Sequence, residues 1–296
     1  MSATSDSLLH YVDATLLQRA LEAPGPMKDG KSWVAVAILK RVLYVIADKV
    51  AEVMWYYSLD DVSVDVSRHR TKTIRRMKLV LGMAASRRNS ALYVLPAAQG
   101  VWKIEPENNF KVTRRLIKGN FAHLSVSVDG TLVLVGRSDD IKLYEYRMDG
   151  TKMAEHDLKK WDSRITKPLS ALRLKDGKFL LSYLVQRQTG RVCLYDAADD
   201  ECIVYELEEA RWPHDVAYDE GHSRFYVTSA GHGVRNSGKL LVLDENMKSQ
   251  CLLVSDNGLN AVPMHHPYRL VYDEETMMLA IGMESLNAVQ LYRIDG

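Results

Sequence analysis

Three histidines in this sequence lie at the openings of short apolar runs, where their imidazoles could meet. His123 begins the segment HLSVSVD, His214 lies in PHDVAYD, and His266 directly precedes PYRLVYD. Three converging imidazoles would form a zinc site, since neutral ring nitrogens are common ligands of zinc. The distance to the next aspartate differs, however: six residues from His123, five from His214 and seven from His266. Unequal spacing favours a structural role for each histidine, and a catalytic zinc or calcium site on them is the alternative.

The other residues that could do chemistry form no catalytic motif. Cys193, Cys202 and Cys251 include no Cys-x-x-Cys pair, and an odd cysteine count is typical of a reducing compartment. The sequence also contains no Gly-x-Ser-x-Gly, Walker or His-Glu-x-x-His pattern. We therefore assign no catalytic residue and no cofactor, and the sequence favours a non-enzymatic protein.

Composition indicates where the protein acts. Its net charge of +1 predicts no global attraction to nucleic acid or to a membrane surface. No apolar run approaches the ~20 residues that span a bilayer, and the N-terminal segment lacks the pattern of a signal peptide. These features predict a cytoplasmic protein that does not bind membranes.

Basic residues interspersed with aromatic residues are the second feature that could bind a ligand. They are densest in RHRTKTIRRMK (68–78) and LKKWDSRITKP (158–168). Basic side chains hold phosphates or carboxylates, and aromatic rings stack on bases. The candidate binding residues are Arg68, Arg70, Lys72, Lys159, Lys160, Trp161, Arg164, Lys167, Arg187, Arg211, Trp212, His214 and Arg235.

A repeat of about 45 residues positions these side chains. Six segments open in the same manner, at steps of 45, 45, 46, 44 and 54 residues: SWVAVAI, MKLVLGM, HLSVSVD, LSALRLK, PHDVAYD and PYRLVYD. Two further apolar runs follow each opening, and the first five units add a more polar fourth run. Short runs rich in Val, Leu and Tyr, separated by Asp, Gly and Asn, indicate strands joined by turns. A period near 45 is the length of a propeller blade.

The sixth unit lacks a fourth run, because the sequence ends directly after the third. Residues 15–22, TLLQRALE, can supply that strand and close the ring, since an unclosed ring leaves two exposed sheet edges. An amphipathic helix is the alternative, because Leu9, Val12, Leu16 and Ala20 fall near helical spacing. The predicted domains are an N-terminal segment, 1–29, and a propeller, 30–296, with blades near 30–68, 77–118, 122–160, 167–209, 212–256 and 266–296.

Two stretches carry a resemblance to a known family. WPHDVAYDEGHSRFYVTSAGHG…GKLLVLDENMK and AHLSVSVDGTLVLVGRSDDIKLYEYRMDG are similar to the NHL-repeat pattern P-x-x-V-A-x-D…G…Y-V…V-x-D, although the Asn-His-Leu triplet is absent. The chain thus resembles an NHL-repeat-like six-bladed β-propeller. That resemblance implies an all-β fold of four-stranded antiparallel blades. Among similar propellers some bind RNA, and others are metal-dependent lactonases or lyases.

A propeller has two faces. We call the face with the connectors between blades and the loops between second and third strands the top face, and the opposite one the bottom face. The candidate binding residues make the top face basic, whereas the acidic residues of the bottom face are explained by the preference of aspartate for turns. We therefore predict a recognition scaffold that binds a protein or peptide through the top face. An RNA-binding propeller and a metal-dependent, lactonase-like hydrolase or lyase centred on His123, His214 and His266 are the alternatives.

Overall fold

The structure, a computed structural model, describes eleven segments of the chain: 14–22, 34–47, 53–59, 70–77, 79–137, 139–186, 189–206, 212–230, 238–252, 267–283 and 288–294. The strands in these segments form six four-stranded antiparallel sheets, which are the blades of a β-propeller. The prediction of an all-β, six-bladed propeller is confirmed.

Blades 1 to 5 each use four strands in chain order from the channel outward. Blade 1 contains β2 (Val34–Leu39), β3 (Val42–Ala47), β4 (Val53–Ser58) and β5 (Arg70–Thr73), and blade 2 contains β6 (Val80–Ser86), β7 (Ala91–Pro96), β8 (Val101–Glu105) and β9 (Lys111–Ile117). Blade 3 contains β10 (Phe121–Val126), β11 (Leu132–Gly136), β12 (Lys142–Tyr146) and β13 (Lys152–Asp157), and blade 4 contains β14 (Ile165–Arg173), β15 (Phe179–Val185), β16 (Thr189–Asp196) and β17 (Glu201–Glu206). Blade 5 contains β18 (Trp212–Asp219), β19 (Arg224–Ala230), β20 (Lys239–Leu243) and β21 (Ser249–Leu252).

Blade 6 is assembled from both ends of the described chain. It contains β22 (Pro267–Asp273), β23 (Met278–Met283), β24 (Ala288–Ile294) and, as its outermost strand, β1 (Ala14–Glu22). Strand β1 pairs antiparallel with β24, from Ala14 opposite Ile294 to Glu22 opposite Ala288. The segment predicted as strand or helix is therefore a strand, and it occupies the position that the sixth unit lacks.

The apolar core lies between the blades. Among the described residues it forms six clusters, one at each interface between neighbouring blades. In β2, for example, Ala35, Ala37 and Leu39 pack toward blade 2, whereas Val36 and Ile38 pack toward blade 6. Strands buried on both faces need apolar residues at every position, which explains the continuous apolar runs in the sequence.

The outer strands and the turns are more polar than the inner strands, because the outer strands face solvent and the turn aspartates form local backbone hydrogen bonds. Strands β9, β13 and β17 present mostly exposed or half-buried side chains, as predicted for a fourth strand. On the bottom face, turn aspartates accept hydrogen bonds from backbone N–H groups two residues later: Asp149 from Thr151 at 2.8 Å and Asp196 from Ala198 at 2.9 Å. Such bonds explain the acidic turns without a ligand.

The connector between blades 3 and 4 contains a single helical turn. Helix α1 (Leu158–Trp161) begins after Asp157, whose carboxylate accepts a hydrogen bond from the Lys159 backbone N–H at 3.0 Å. No helix of the described residues is long and apolar enough to cross a membrane.

Candidate functional site

The six innermost strands enclose a central channel. Each of β2, β6, β10, β14, β18 and β22 contacts the innermost strands of both neighbouring blades. Each also pairs along one edge only, so its other edge directs backbone N–H and C=O groups toward the channel. Buried groups of this kind need hydrogen-bond partners. Polar side chains in the channel are therefore expected even without a ligand.

Asp215 of β18 is the centre of a buried polar network in the channel. Its Oδ1 accepts a hydrogen bond from the Val216 backbone N–H at 2.9 Å and lies 3.0 Å from Nε2 of His123. Its Oδ2 accepts a bond from the Leu270 N–H at 3.1 Å and lies 3.9 Å from Nη1 of Arg269. One carboxylate thus joins the inner strands of blades 3, 5 and 6.

Arg269 extends this network across the channel from blade 6. Its Nε donates to the Leu81 carbonyl at 2.7 Å, and its Nη2 donates to Leu81 and, at 3.3 Å, to the Ala122 carbonyl. The guanidinium carbon lies 4.3 Å from the centre of the Tyr268 ring. The guanidinium thereby satisfies carbonyl groups on the free edges of blades 2 and 3.

His123 is a neutral member of the network. Its Nδ1 accepts a hydrogen bond from the Ala171 N–H at 3.4 Å, so the ring proton lies on Nε2 and faces Asp215. Burial, reinforced by the charge of Arg269, holds the pKa of His123 below its ordinary value. Burial opposes ionisation of Asp215, but His123, Arg269 and the Leu270 N–H hold the pKa of that carboxyl below its usual value.

This geometry bears on the alternative metal site. Both ring nitrogens of His123 already contact protein groups, and the ring of His214 lies against Tyr268, with 5.2 Å between ring centres. His266 lies outside the described residues. Within the described part of the chain, no three His, Cys, Asp or Glu side chains are grouped so that they could hold a metal.

A cavity of about 330 Å³ lies between the buried network and the bottom face. The network residues His123, Asp215 and Arg269 contribute to its lining, and Val36 and Ile38 line it on the side of blade 1. Turns between first and second strands surround its opening. Its volume lies at the lower end of the range for ligand sites. This opening, which we call the bottom mouth, is the candidate functional site.

The bottom mouth carries charges of both signs. Arg87 of blade 2 forms ion pairs with Asp273 and, at 3.3 Å, with Glu275 of blade 6. Arg173 of blade 4 pairs with Asp129 and, at 3.3 Å, with Glu145 of blade 3. These contacts connect blades around the opening and neutralise two of its arginines.

Arg88 and Glu274 differ from these paired groups. Arg88 lines the cavity and donates from Nη1 to the Asp129 carbonyl at 3.2 Å, but no carboxylate of the described residues lies within 4.0 Å of its guanidinium. Glu274, on blade 6, likewise has no lysine or arginine of the described chain within that distance. Among the described residues, the mouth thus retains one charged side chain of each sign that forms no ion pair.

The predicted top-face residues that the structure describes separate into two groups. Lys159 and Lys160 are exposed on the connector between blades 3 and 4, and Lys167 is exposed near the start of β14. Arg164 lies on the same connector, where it forms two bonds with the Asp162 carboxylate, at 2.9 and 3.1 Å.

Arg70 and Lys72 do not lie on a connector. Both are in β5, the outermost strand of blade 1. The ammonium of Lys72 lies 3.3 Å from Asn109 Oδ1 and 5.4 Å from the centre of the Phe110 ring in the neighbouring blade. The prediction that these residues lie on a top-face connector is wrong, because the fourth strand of blade 1 begins at Arg70, after the predicted end of that blade at residue 68.

Trp161 is buried, which corrects its predicted role in base stacking. Its side chain is 9% exposed, and its ring stacks on Tyr195 with 4.0 Å between ring centres and an interplanar angle of 12°. It also contacts Phe179 at 5.4 Å and belongs to the core cluster between blades 3 and 4. A base could reach this ring only if the interface opened.

The remaining predicted residues are half-buried or lie elsewhere. Trp212 and His214 are half-buried in β18, with 6.5 Å between ring centres. Arg68, Arg187, Arg211, Arg235 and His266 lie outside the described residues.

Sequence reasoning missed the residues that define the bottom mouth. Asp215 and Arg269 are charged residues inside runs that otherwise pack into a core, and that signal could have identified them. Arg88 had no comparable signal, since an arginine in a hairpin turn is common on any surface.

Comparisons with known proteins show the fold and no family. No family model and no curated protein matches the chain. A crystal structure of a nidogen/laminin complex is similar, with 12% identity over 87% of this chain and 90% of that one and a TM-score of 0.58. A structure of YCF48 bound to the D1 peptide is also similar, with 12% identity over 88% of this chain and 78% of that one and a TM-score of 0.54. These solved propellers share an architecture with this chain.

Proposed function

We propose that this protein is a non-enzymatic recognition scaffold that binds a protein or peptide partner at the bottom mouth. The observation that carries this proposal is the cavity of about 330 Å³, which is closed inside by a satisfied polar network and open between charged turns. Such a cavity can accept a few side chains of a partner while the rigid ring around it offers a docking surface.

The similar solved structures support this proposal. One is a nidogen/laminin complex and the other is YCF48 bound to a peptide, so propellers of this shape occur in protein and peptide complexes. The mixed charge of the bottom mouth also suits a peptide better than a polyanion, because Glu220 and Glu274 would repel phosphates. The NHL relationship, the cytoplasmic location and the docking role of the top-face lysines stay predictions from the sequence.

An enzymatic role has less support in the channel. His123 and Asp215, the two groups in the buried network that could act as acid, base or ligand, are bonded to backbone groups or to each other. Moving either one into a reaction would leave a buried group without its partner, at a cost of about 1–3 kcal/mol.

The test is affinity capture with crosslinking from cell extract, using two matched surface variants. Val128 and Met153 are exposed apolar residues of blade 3, at 67% and 51%, and of the two only Val128 lines the cavity opening. In extract treated with RNase, we expect the Val128→Arg variant to lose binding partners that the Met153→Arg variant still captures. Equal capture by the two variants, or loss of all partners after RNase treatment, would contradict the proposal.

A further inference from the structure

The charges around the bottom mouth indicate which chemical groups of a partner it would bind. Four arginines line the cavity, and three of them already face carboxylates: Arg87, Arg173 and Arg269. Arg88 is the exception among the described residues, since its guanidinium contacts only the neutral carbonyl of Asp129. A guanidinium held by a carbonyl keeps its full charge and several unused donors for an incoming group.

The side chain of Arg88 lies against the backbone of the next blade. Gly130 has a φ of +86° in the turn between β10 and β11, and a Cβ there would lie 3.5 Å from Cδ of Arg88. The arginine side chain therefore rests on the turn of the next blade. A guanidinium positioned in this way loses less side-chain entropy when it binds a carboxylate.

An apolar contact lies beside this charge. Val128, in the same turn as Gly130, is 67% exposed, which is the largest exposure of any large apolar residue in the described chain. Val128 and Arg88 both line the cavity, and farther inside the lining includes Val126 and Leu172. The site therefore combines one cationic group with an apolar surface.

The opposite side of the mouth limits how much negative charge can enter. Glu220 and Glu274 line the cavity on blades 5 and 6, and of these two only Glu220 forms an ion pair with a described residue, Lys175 at 2.9 Å. A second or third acidic group on the ligand would meet these carboxylates, which costs binding energy. A basic group on the ligand would instead be attracted to Glu274.

Building on the proposed function, we propose that the bottom mouth binds a linear peptide segment in which one carboxylate lies next to an apolar side chain. Arg88 binds the carboxylate, and Val128 and the cavity wall contact the apolar side chain. The carboxylate is an acidic side chain or a chain terminus, since both present the same two oxygens.

A synthetic array of short random peptides tests this proposal on the full chain. We expect wild-type protein to select peptides that have one acidic residue beside an apolar residue. The selected peptides are then resynthesised, and their affinity is measured by fluorescence anisotropy. Removal of the carboxylate that Arg88 binds, by replacing Glu with Gln or by amidating the terminal carboxyl, should lower the affinity about tenfold or more. Arg88→Glu should abolish that selection, whereas Arg147→Glu, an exposed turn arginine outside the cavity lining, should keep it.

The outcomes separate this inference from the proposed function. Selected peptides that lack a carboxylate but lose binding to Val128→Arg would overturn the inference and leave the recognition scaffold intact. Peptides that bind Val128→Arg and wild type equally would overturn both. Selection of carboxylates that persists in Arg88→Glu would place their binding elsewhere on the surface and would refute the assignment.

Discussion

Replacement of Asp215 by alanine should lower the free energy of unfolding by about 3–5 kcal/mol, because it leaves the buried guanidinium of Arg269 without its carboxylate. The same change removes the acceptor of the Val216 and Leu270 N–H groups, at 2.9 and 3.1 Å, and the partner of His123. Water from the adjacent cavity can reach some of these groups. We therefore expect the lower part of this range.

Urea denaturation followed by far-UV circular dichroism measures this effect, provided that the slope with denaturant is unchanged. The matched control is Glu220→Ala, which removes a half-exposed carboxylate from its pair with Lys175 and should have a much smaller effect. In the double variant Asp215→Ala/Arg269→Met, the loss should be smaller than the sum of the single losses, since neither charge stays buried alone. A loss below about 1 kcal/mol for Asp215→Ala, the value of an exposed pair, would refute the reasoning.

Three further outcomes follow from the described contacts. The free energy of unfolding should decrease as pH falls below 6.5, because burial lowers the pKa of His123 in the folded state, so that the unfolded chain binds a proton that the folded chain does not. An equally steep decrease of the unfolding free energy with pH in His123→Gln would contradict this. Deletion of residues 1–24 should lower the melting temperature and cause self-association, because β24 would become an open sheet edge. An unchanged melting curve would argue against ring closure by β1. Iodoacetamide should label Cys202 before Cys193, because the hydrogen bond that the Cys193 thiol donates to Cys202, together with burial, raises the pKa of Cys193. Labelling in the reverse order, detected by mass spectrometry, would contradict this.

The blades could be predicted from the sequence because their burial leaves a periodic pattern. Inner and second strands contact neighbouring blades on both faces, so runs such as LVLVG and VLYVIA are apolar throughout. The position of β1 could be predicted from the missing fourth strand of the last unit. Both predictions depend on local sequence and on the repeat alone.

The side chains of the site could not be placed in the same way. The register shifts between Pro213 and Asp215, and there Asp215 is buried whereas His214 is only half-buried. Trp161 looks like a loop residue in the sequence, but one helical turn after Asp157 directs its ring between two blades. Arg269 bonds to Leu81 and Ala122, which are far away in the chain, and no spacing rule connects such positions.

The pairing of β1 with β24 has a consequence for biosynthesis. The two strands of this pair come from opposite ends of the described chain. At roughly 5 to 20 residues per second, a ribosome needs roughly 15 seconds to a minute for a chain of this length. During that time the earlier blades can form, but the outer edge of blade 6 does not yet exist. The nascent strand β1 therefore stays exposed to chaperones and to other nascent chains until β24 has been synthesised.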